Sequence, residues 1–227
     1  MLDRLETLVG NNNIEKLKNT TILIIGLGGV GGYALESIVR SAVGKVIIVD
    51  KDIIDITNLN RQIIATKNNI GLNKADVAEQ RINEISNTKV IKIKEYITKD
   101  NIEILFNEKI DYIIDACDTI ETKIELIKES LKRNIKIISC MGTAKKMDPS
   151  LLKIIDIRKT TTDPIARIIR KKLNDENIKE KVMVVSSDET PININKLGSN
   201  SFVPAVAGLL CASYVINDIV GDVNETN

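Results

Sequence analysis

The chain has 227 residues, 43% of them hydrophobic and 28% charged, which is enough for one large α/β domain with a buried core and excludes global disorder. Its 32 basic and 31 acidic residues leave a net charge of +1, so attraction to nucleic acid or membrane must come from a local patch, not from the surface as a whole. Histidine is absent, which excludes a histidine base or metal ligand, and Cys117, Cys140 and Cys211 form no Cys-x-x-Cys pair, which argues against structural zinc and against a disulfide framework.

Residues 1–18 predict one or two short helices, with Leu2, Leu5, Leu8 and Val9 on one side. The opening residues lack the basic and apolar blocks of a secretory leader, so a cytoplasmic location is expected. Residues 21–25 are a run rich in β-branched side chains ending at Gly26, the pattern of a buried parallel strand. Helical spacing over 29–43 and a second buried strand over 45–50 complete a βαβ unit. The alternation continues with a helix over 74–85, a strand over 89–94, a helix over 101–106, a strand over 112–115, a helix over 122–133 and a strand over 136–139. The fold class is α/β: a Rossmann-like, doubly wound, mostly parallel sheet, with its ligand beyond the carboxyl ends of the strands.

After Gly142 the pattern changes. Strands over 151–157 and 182–186 flank a basic helix over 164–173, and the polar segment 187–199, with Pro191 and Gly198, reads as a mobile loop. Residues 203–220 are mostly apolar but contain Pro204, Asn217 and Asp218. They predict a buried core helix, capped by Asn200 or Ser201 with Pro204 in its first turn, and no stable membrane insertion. The organisation expected is one domain, with a nucleotide-binding core over 1–142 and a C-terminal elaboration over 143–227.

The glycine signature Gly26-Leu27-Gly28-Gly29-Val30-Gly31 lies between the first strand and the first helix of the βαβ unit. There, bare backbone amides and the positive end of a helix can meet phosphate oxygens. Asp50, closing the second strand, is placed to accept bonds from ribose hydroxyls. This fingerprint suits a dinucleotide or ATP equally. Asn58, Arg61 and Lys74 follow as donors near the same mouth; they suit a triphosphate, and equally a solvated loop and helix start.

Asp118, after the strand that ends at Asp115, could hold Mg²⁺ between phosphates or cap the next helix. Cys117 reads as a small buried residue, not a nucleophile. The stretch 158–181 holds eight basic and four acidic residues, a face for RNA phosphates or a solvated helix.

Gly26-x-Gly28-Gly29-x-Gly31, Asp50-x-Asp52, Asn58-x-x-Arg61-Gln62, Lys74 and Asp118, in this order, resemble the superfamily of ubiquitin-activating-like adenylyltransferases. The resemblance implies that the glycine loop and Asp50 hold ATP, with Asp52, Asn58 and Gln62 beside it. Arg61 and Lys74 would stabilise the pentavalent phosphorus, and Asp118 would bind Mg²⁺. Arg4 matches the family's N-terminal arginine, which reaches the partner subunit's ATP, and so implies a homodimer.

Carrier-protein activators of the superfamily commonly carry two zinc-binding Cys-x-x-Cys pairs, which this chain lacks. Asp148-Pro149 and Asp156-Ile157-x-Lys159-Thr160-x-x-Asp163-Pro164-Ile165-Ala166 resemble instead the branch that dehydrates threonylcarbamoyladenosine in tRNA. That branch implies ATP-dependent adenylation of a threonyl carboxylate on the anticodon-loop adenosine of a modified tRNA, followed by ring closure. It leaves room for a sulfur-transfer or delivery protein as accessory. The alternative substrate is the C-terminus of a ubiquitin-like or sulfur-carrier protein. A nicotinamide dehydrogenase on the same βαβ unit is a third possibility.

Overall fold

A computed structural model describes residues 2–221. The elements, in order, are α1 (Asp3–Val9), α2 (Asn11–Lys18), β1 (Thr21–Ile25), α3 (Gly31–Arg40), β2 (Lys45–Val49), α4 (Lys74–Ile85), β3 (Lys89–Ile93), β4 (Tyr112–Asp115), α5 (Ile120–Arg133), β5 (Lys136–Cys140), β6 (Leu152–Asp156), α6 (Pro164–Asp175), β7 (Met183–Ser187) and α7 (Val203–Val220). One seven-stranded sheet runs β3-β2-β1-β4-β5-β7-β6, parallel throughout except for the β6–β7 pair. The Rossmann-like, mostly parallel sheet expected from the sequence is therefore present. Strand order reverses between β1 and β4, the switch point at whose carboxyl ends sheets of this class form their ligand crevice.

The central strands read as unbroken apolar runs because both faces are covered. Ile22, Ile24, Val46, Ile48, Ile114 and Ile138 pack toward α3, α4 and α7, while Leu23, Ile25, Ile47, Val49, Ile113 and Ile137 pack toward α5 and α6. The period-two alternation of a strand sorts one sequence run into two cores.

Several element boundaries differ from those read in the sequence. The helix expected over 29–43 is shorter at both ends: residues 26–30 are held as a loop, and Ala42 turns left-handed at φ 65°. Residues Ile102–Phe106, within the helix expected over 101–106, form a 3-10 helix, a form used in short pieces such as this. The strand expected over 151–157 ends at Asp156, whose carboxylate caps a 3-10 turn, Ile157–Lys159.

The polar segment expected to be a mobile loop has no regular structure, but it is fastened. Lys145 receives Ile192 N–H on its carbonyl and its own amide donates to the Gly198 carbonyl, while Glu189 accepts from the amides of Met147 and Asp148.

Helix α7 is the one described helix long and apolar enough to cross a membrane. It packs against α3 and the sheet, with Val203, Ala207, Cys211, Ala212 and Val215 fully buried. Pro204 lies in its first turn, but the N-cap residue is Phe202, with no side-chain cap, in place of the Asn200 or Ser201 expected; Asn200 Oδ1 accepts from the amides of Phe202 and Val203 from two residues further back. Gly208 lets the two helices touch: a methyl group there would lie 2.2 Å from the Val30 carbonyl oxygen.

Candidate active site

The glycine loop is shaped by two contacts that allow no side chain. Gly26 has φ +85°, and a Cβ on it would stand 2.7 Å from the Ala116 carbonyl oxygen. A Cβ on Gly31 would stand 1.7 Å from the Gly26 carbonyl oxygen. The loop thus folds tightly back on itself and against the end of β4. Among the described residues, the amides of Gly28, Gly29 and Val30 donate to no protein group, and they precede the positive end of α3. A Cβ on Gly28 would meet only Gln62 Nε2, at 3.9 Å, so this flank of the loop is open.

Asp50 follows β2 beside that loop. Its carboxylate accepts from the Leu27 amide at 2.7 Å and the Asp52 amide at 2.9 Å, which fixes the loop to the strand. Burial pushes its carboxyl above the usual range, against the pull of Lys74 and of those two amides. Lys74 is itself buried, with its ammonium 3.0 Å from Asp52 and 3.9 Å from Asp50. It is no solvated helix start: Asn73 caps α4 and leaves Lys74 to turn inward.

Arg61 is half-buried, its Cγ 3.3 Å from where a Gly29 Cβ would lie, and its guanidinium donates to the Thr57 carbonyl and Asn60 Oδ1. Asn58 is buried and accepts from the Asp55 amide, so part of its function is to hold the turn that carries Arg61 and Gln62. Gln62 is 6% exposed, and its Oε1 has no hydrogen-bond partner beside the glycine loop.

Asp118 is exposed, one turn beyond β4. Helix α5 starts earlier than expected, at Ile120, with Thr119 as its N-cap residue and no side-chain cap. The capping reading of Asp118 is therefore not realised. Among the described residues no three acidic or cysteine side chains converge on a cation site. A single open carboxylate suits Mg²⁺ that takes its remaining ligands from phosphates and water.

The structure thus brings Gly26, Gly28, Gly29, Gly31, Asp50, Asp52, Asn58, Arg61, Gln62 and Lys74 around one crevice, with Asp118 on the adjoining turn. Arg4 is not among them. It is exposed on α1, and among the described residues no hydrogen bond or ion pair joins it to the crevice.

The basic stretch after residue 158 is partly consumed within the fold. Arg158 donates to the carbonyls of Glu180 and Ile178, Arg170 to Thr160, and Lys172 pairs with Glu176.

Two features escaped the sequence reading. A recess of about 460 Å³ lies beside the Asp118 turn, between Tyr96, Ile97, Thr119 and Ile124. The Lys51 ammonium sits 4.5 Å over the Tyr96 ring at its edge. The second is a buried ion pair, Asp115–Lys123. It does carry a sequence signal: Ile120, Lys123, Ile124 and Ile127 share one helical face, so a lysine stands at a core-facing position.

Cys117 is no nucleophile. Burial and the Asp115 charge push its thiol far above the usual range, and the thiol donates to Asp115. Iodoacetamide at neutral pH is expected to leave Cys117 unlabelled, by mass spectrometry of the native protein, over a time that fully labels a free thiol. Rapid labelling would reveal a thiolate.

A tight glycine loop with Asp50 and the buried Lys74 beside it, at the switch point of a parallel sheet, defines a nucleotide-binding Rossmann-like protein, and the chain belongs to the ThiF family, which it matches over residues 2–227. It is 43% identical to the tRNA threonylcarbamoyladenosine dehydratase of Bacillus subtilis, over 97% of this chain and 94% of that protein. The crystal structure of Escherichia coli tRNA N6-threonylcarbamoyladenosine dehydratase in complex with ATP superposes with a TM-score of 0.92 at 28% identity, over all of this chain and 96% of the other. The chain is also 40% identical to the probable molybdopterin-synthase adenylyltransferase of Porphyra purpurea over 120 residues, 53% of this chain and 31% of that protein.

Proposed function

We propose that this chain is an ATP-dependent tRNA threonylcarbamoyladenosine dehydratase. The observation that carries the reading is the convergence of bare loop amides, Asp50, Arg61 and Lys74 on one crevice, in a chain similar to the dehydratases almost end to end.

In this reading the amides of Gly28 to Val30 and the start of α3 receive the phosphates, and Asp50 holds the ribose. The base lies toward the recess edged by Tyr96, whose apolar ring offers a stacking surface. A threonyl carboxylate oxygen attacks the α-phosphorus, and pyrophosphate leaves. Arg61 and Lys74 balance the charge that grows on the phosphorus. A nitrogen of the same substituent then attacks the acyl carbon, loses its proton and expels AMP. The sum is one ATP converted to AMP and pyrophosphate, with the elements of water removed from the nucleoside.

Because the second nucleophile is tethered to the activated acyl group, the protein need only orient and stabilise. That suits a site without histidine and with its nearest thiol protonated.

Mg²⁺ bound at Asp118 would neutralise charge on the phosphates. Asp118→Asn is expected to raise the Mg²⁺ concentration needed for half-maximal turnover, with the melting temperature unchanged; identical Mg²⁺ curves would remove Asp118 from that role. Arg4 faces solvent on α1, so its part in the reaction requires a second copy of the chain in a homodimer. The enzyme works in the cytoplasm with its tRNA.

Nucleoside mass spectrometry tests the function. Threonylcarbamoyl-modified tRNA incubated with the protein and ATP should yield a nucleoside lighter by one water, with AMP in equal amount. Pyrophosphate exchange that depends instead on a carrier ending in Gly-Gly would assign a protein substrate. Calorimetric binding of NADH without ATP would assign a dehydrogenase.

A further inference from the structure

At the end of β4 lies a cluster of charged and polar groups that solvent barely reaches. Asp115 is fully buried and Lys123 is 1% exposed, and their charged groups are 3.0 Å apart. Asp115 Oδ2 also accepts from the Ser139 hydroxyl, and Oδ1 accepts from the Cys117 amide at 3.2 Å and thiol at 3.0 Å. The Lys123 ammonium donates to the Cys140 carbonyl at 2.8 Å and lies 3.5 Å from Ser139 Oγ. The end of β4, the first turns of α5 and the end of β5 are thereby joined by one fully bonded network.

Such a pair adds little net stability. Desolvating two charges cancels much of their attraction, and replacing both with neutral groups of similar volume is often neutral for folding. What the network fixes is geometry. Cys117, held through both amide and thiol, is the middle of the turn 116–118. The Ala116 carbonyl on one side of it is the surface against which Gly26 rests, and the carboxylate of Asp118 emerges on the other. A displaced turn would move the wall of the glycine loop and Asp118 together.

We propose that the Asp115–Lys123 pair is a positioning device: it sets the 116–118 turn against the glycine loop so that the Asp118 carboxylate stands where a bound nucleotide's phosphates carry their cation. This rests on the ATP reading above. Asp115, Lys123 and Ser139 are each at most 1% exposed and act through the turn.

The test removes both charges at once, Asp115→Asn with Lys123→Met, so that no buried charge is left unpaired. Melting temperature and ATP affinity are measured by calorimetry, the affinity once with Mg²⁺ and once with EDTA. The double variant is expected to melt close to the wild type while the gain in ATP affinity that Mg²⁺ confers shrinks by about tenfold, the loss of one charge-assisted contact. A pair with a merely structural role would lower the melting temperature and leave that gain intact, which overturns the proposal.

Should the double variant not fold, Ser139→Ala decides. It keeps both charges and removes one hydrogen bond to Asp115, and a smaller loss of the same gain is expected; an unchanged gain overturns the proposal. Wild-type protein that binds no ATP at all would instead overturn the adenylation reading, and this inference with it.

Discussion

Lys74→Ala is expected to slow adenylation by about 10²–10³-fold with the fold intact, the range for losing one preorganised donor to a developing oxyanion. The size of the effect follows from burial. An exposed lysine beside two carboxylates would be screened by water, whereas this ammonium is buried beside Asp50, with Asp52 at the solvent edge, and acts at short range in a poorly solvated site. Helix α4 keeps its start in the variant, because the Asn73 side chain still accepts from the Ala75 amide.

A second signature separates Lys74 from a general loss of charge. Burial raises the Asp50 carboxyl and Lys74 lowers it, so removing the lysine moves that carboxyl further up. As pH falls, Asp50 in the variant takes up its proton sooner than in the wild type. ATP affinity should therefore fail at a higher pH in Lys74→Ala, and coincident pH profiles would show that the two groups are not coupled. Arg61→Ala is expected in the same kinetic range without the displaced pH profile, since among the described residues no contact joins Arg61 to Asp50.

Gly31→Ala should abolish ATP binding and lower the melting temperature as well, because its methyl group would lie 1.7 Å from a backbone oxygen that has nowhere to go. Overpacking of flexible side chains costs about 1–3 kcal/mol, and a backbone contact this short lies beyond that range. Gly28→Ala separates folding from binding. A Cβ there meets no protein atom nearer than 3.9 Å, so the variant should melt like the wild type. The methyl would nevertheless stand beside the amides that receive phosphate, and ATP affinity should fall by at least about tenfold, roughly 1.4 kcal/mol. Wild-type affinity in Gly28→Ala would place the phosphates elsewhere.

Most of this architecture is legible in the order of residues alone. The central strands announce themselves as apolar runs such as Thr21–Ile25 and Lys45–Val49, and the glycine signature falls between the first of them and a helix. The illegible parts depend on contacts distant in sequence. Nothing local gives the direction of β6, which pairs antiparallel with β7, because strand polarity is decided by the path of residues 141–151. The 3-10 form of Ile102–Phe106 is hidden because a short apolar cluster fits either helix type.

At the site, residue types suffice for Asp50 and the glycines. For Asn58, Arg61 and Lys74 they leave phosphate ligands and a solvated loop equally open, and the burial of Lys74 against Asp52 removes the solvated helix start for that one residue. The core-facing lysine of α5 is visible as a misfit on an apolar face. Its partner, at the end of a strand eight residues earlier, is not, since helix and strand meet only in three dimensions.

The close approach of Gly208 to Val30 has a bearing on how the molecule is made. Every group assigned to grip the triphosphate lies within the first 118 positions, yet the buttress behind the helix that follows the glycine loop comes from the final segment. A nascent chain still lacking Val203–Val220 has synthesised the whole cradle and has nothing to seat it on. Competence for nucleotide should arrive late, once α7 leaves the ribosome, and stop codons ahead of or within α7 should be as harmful as lesions in the crevice.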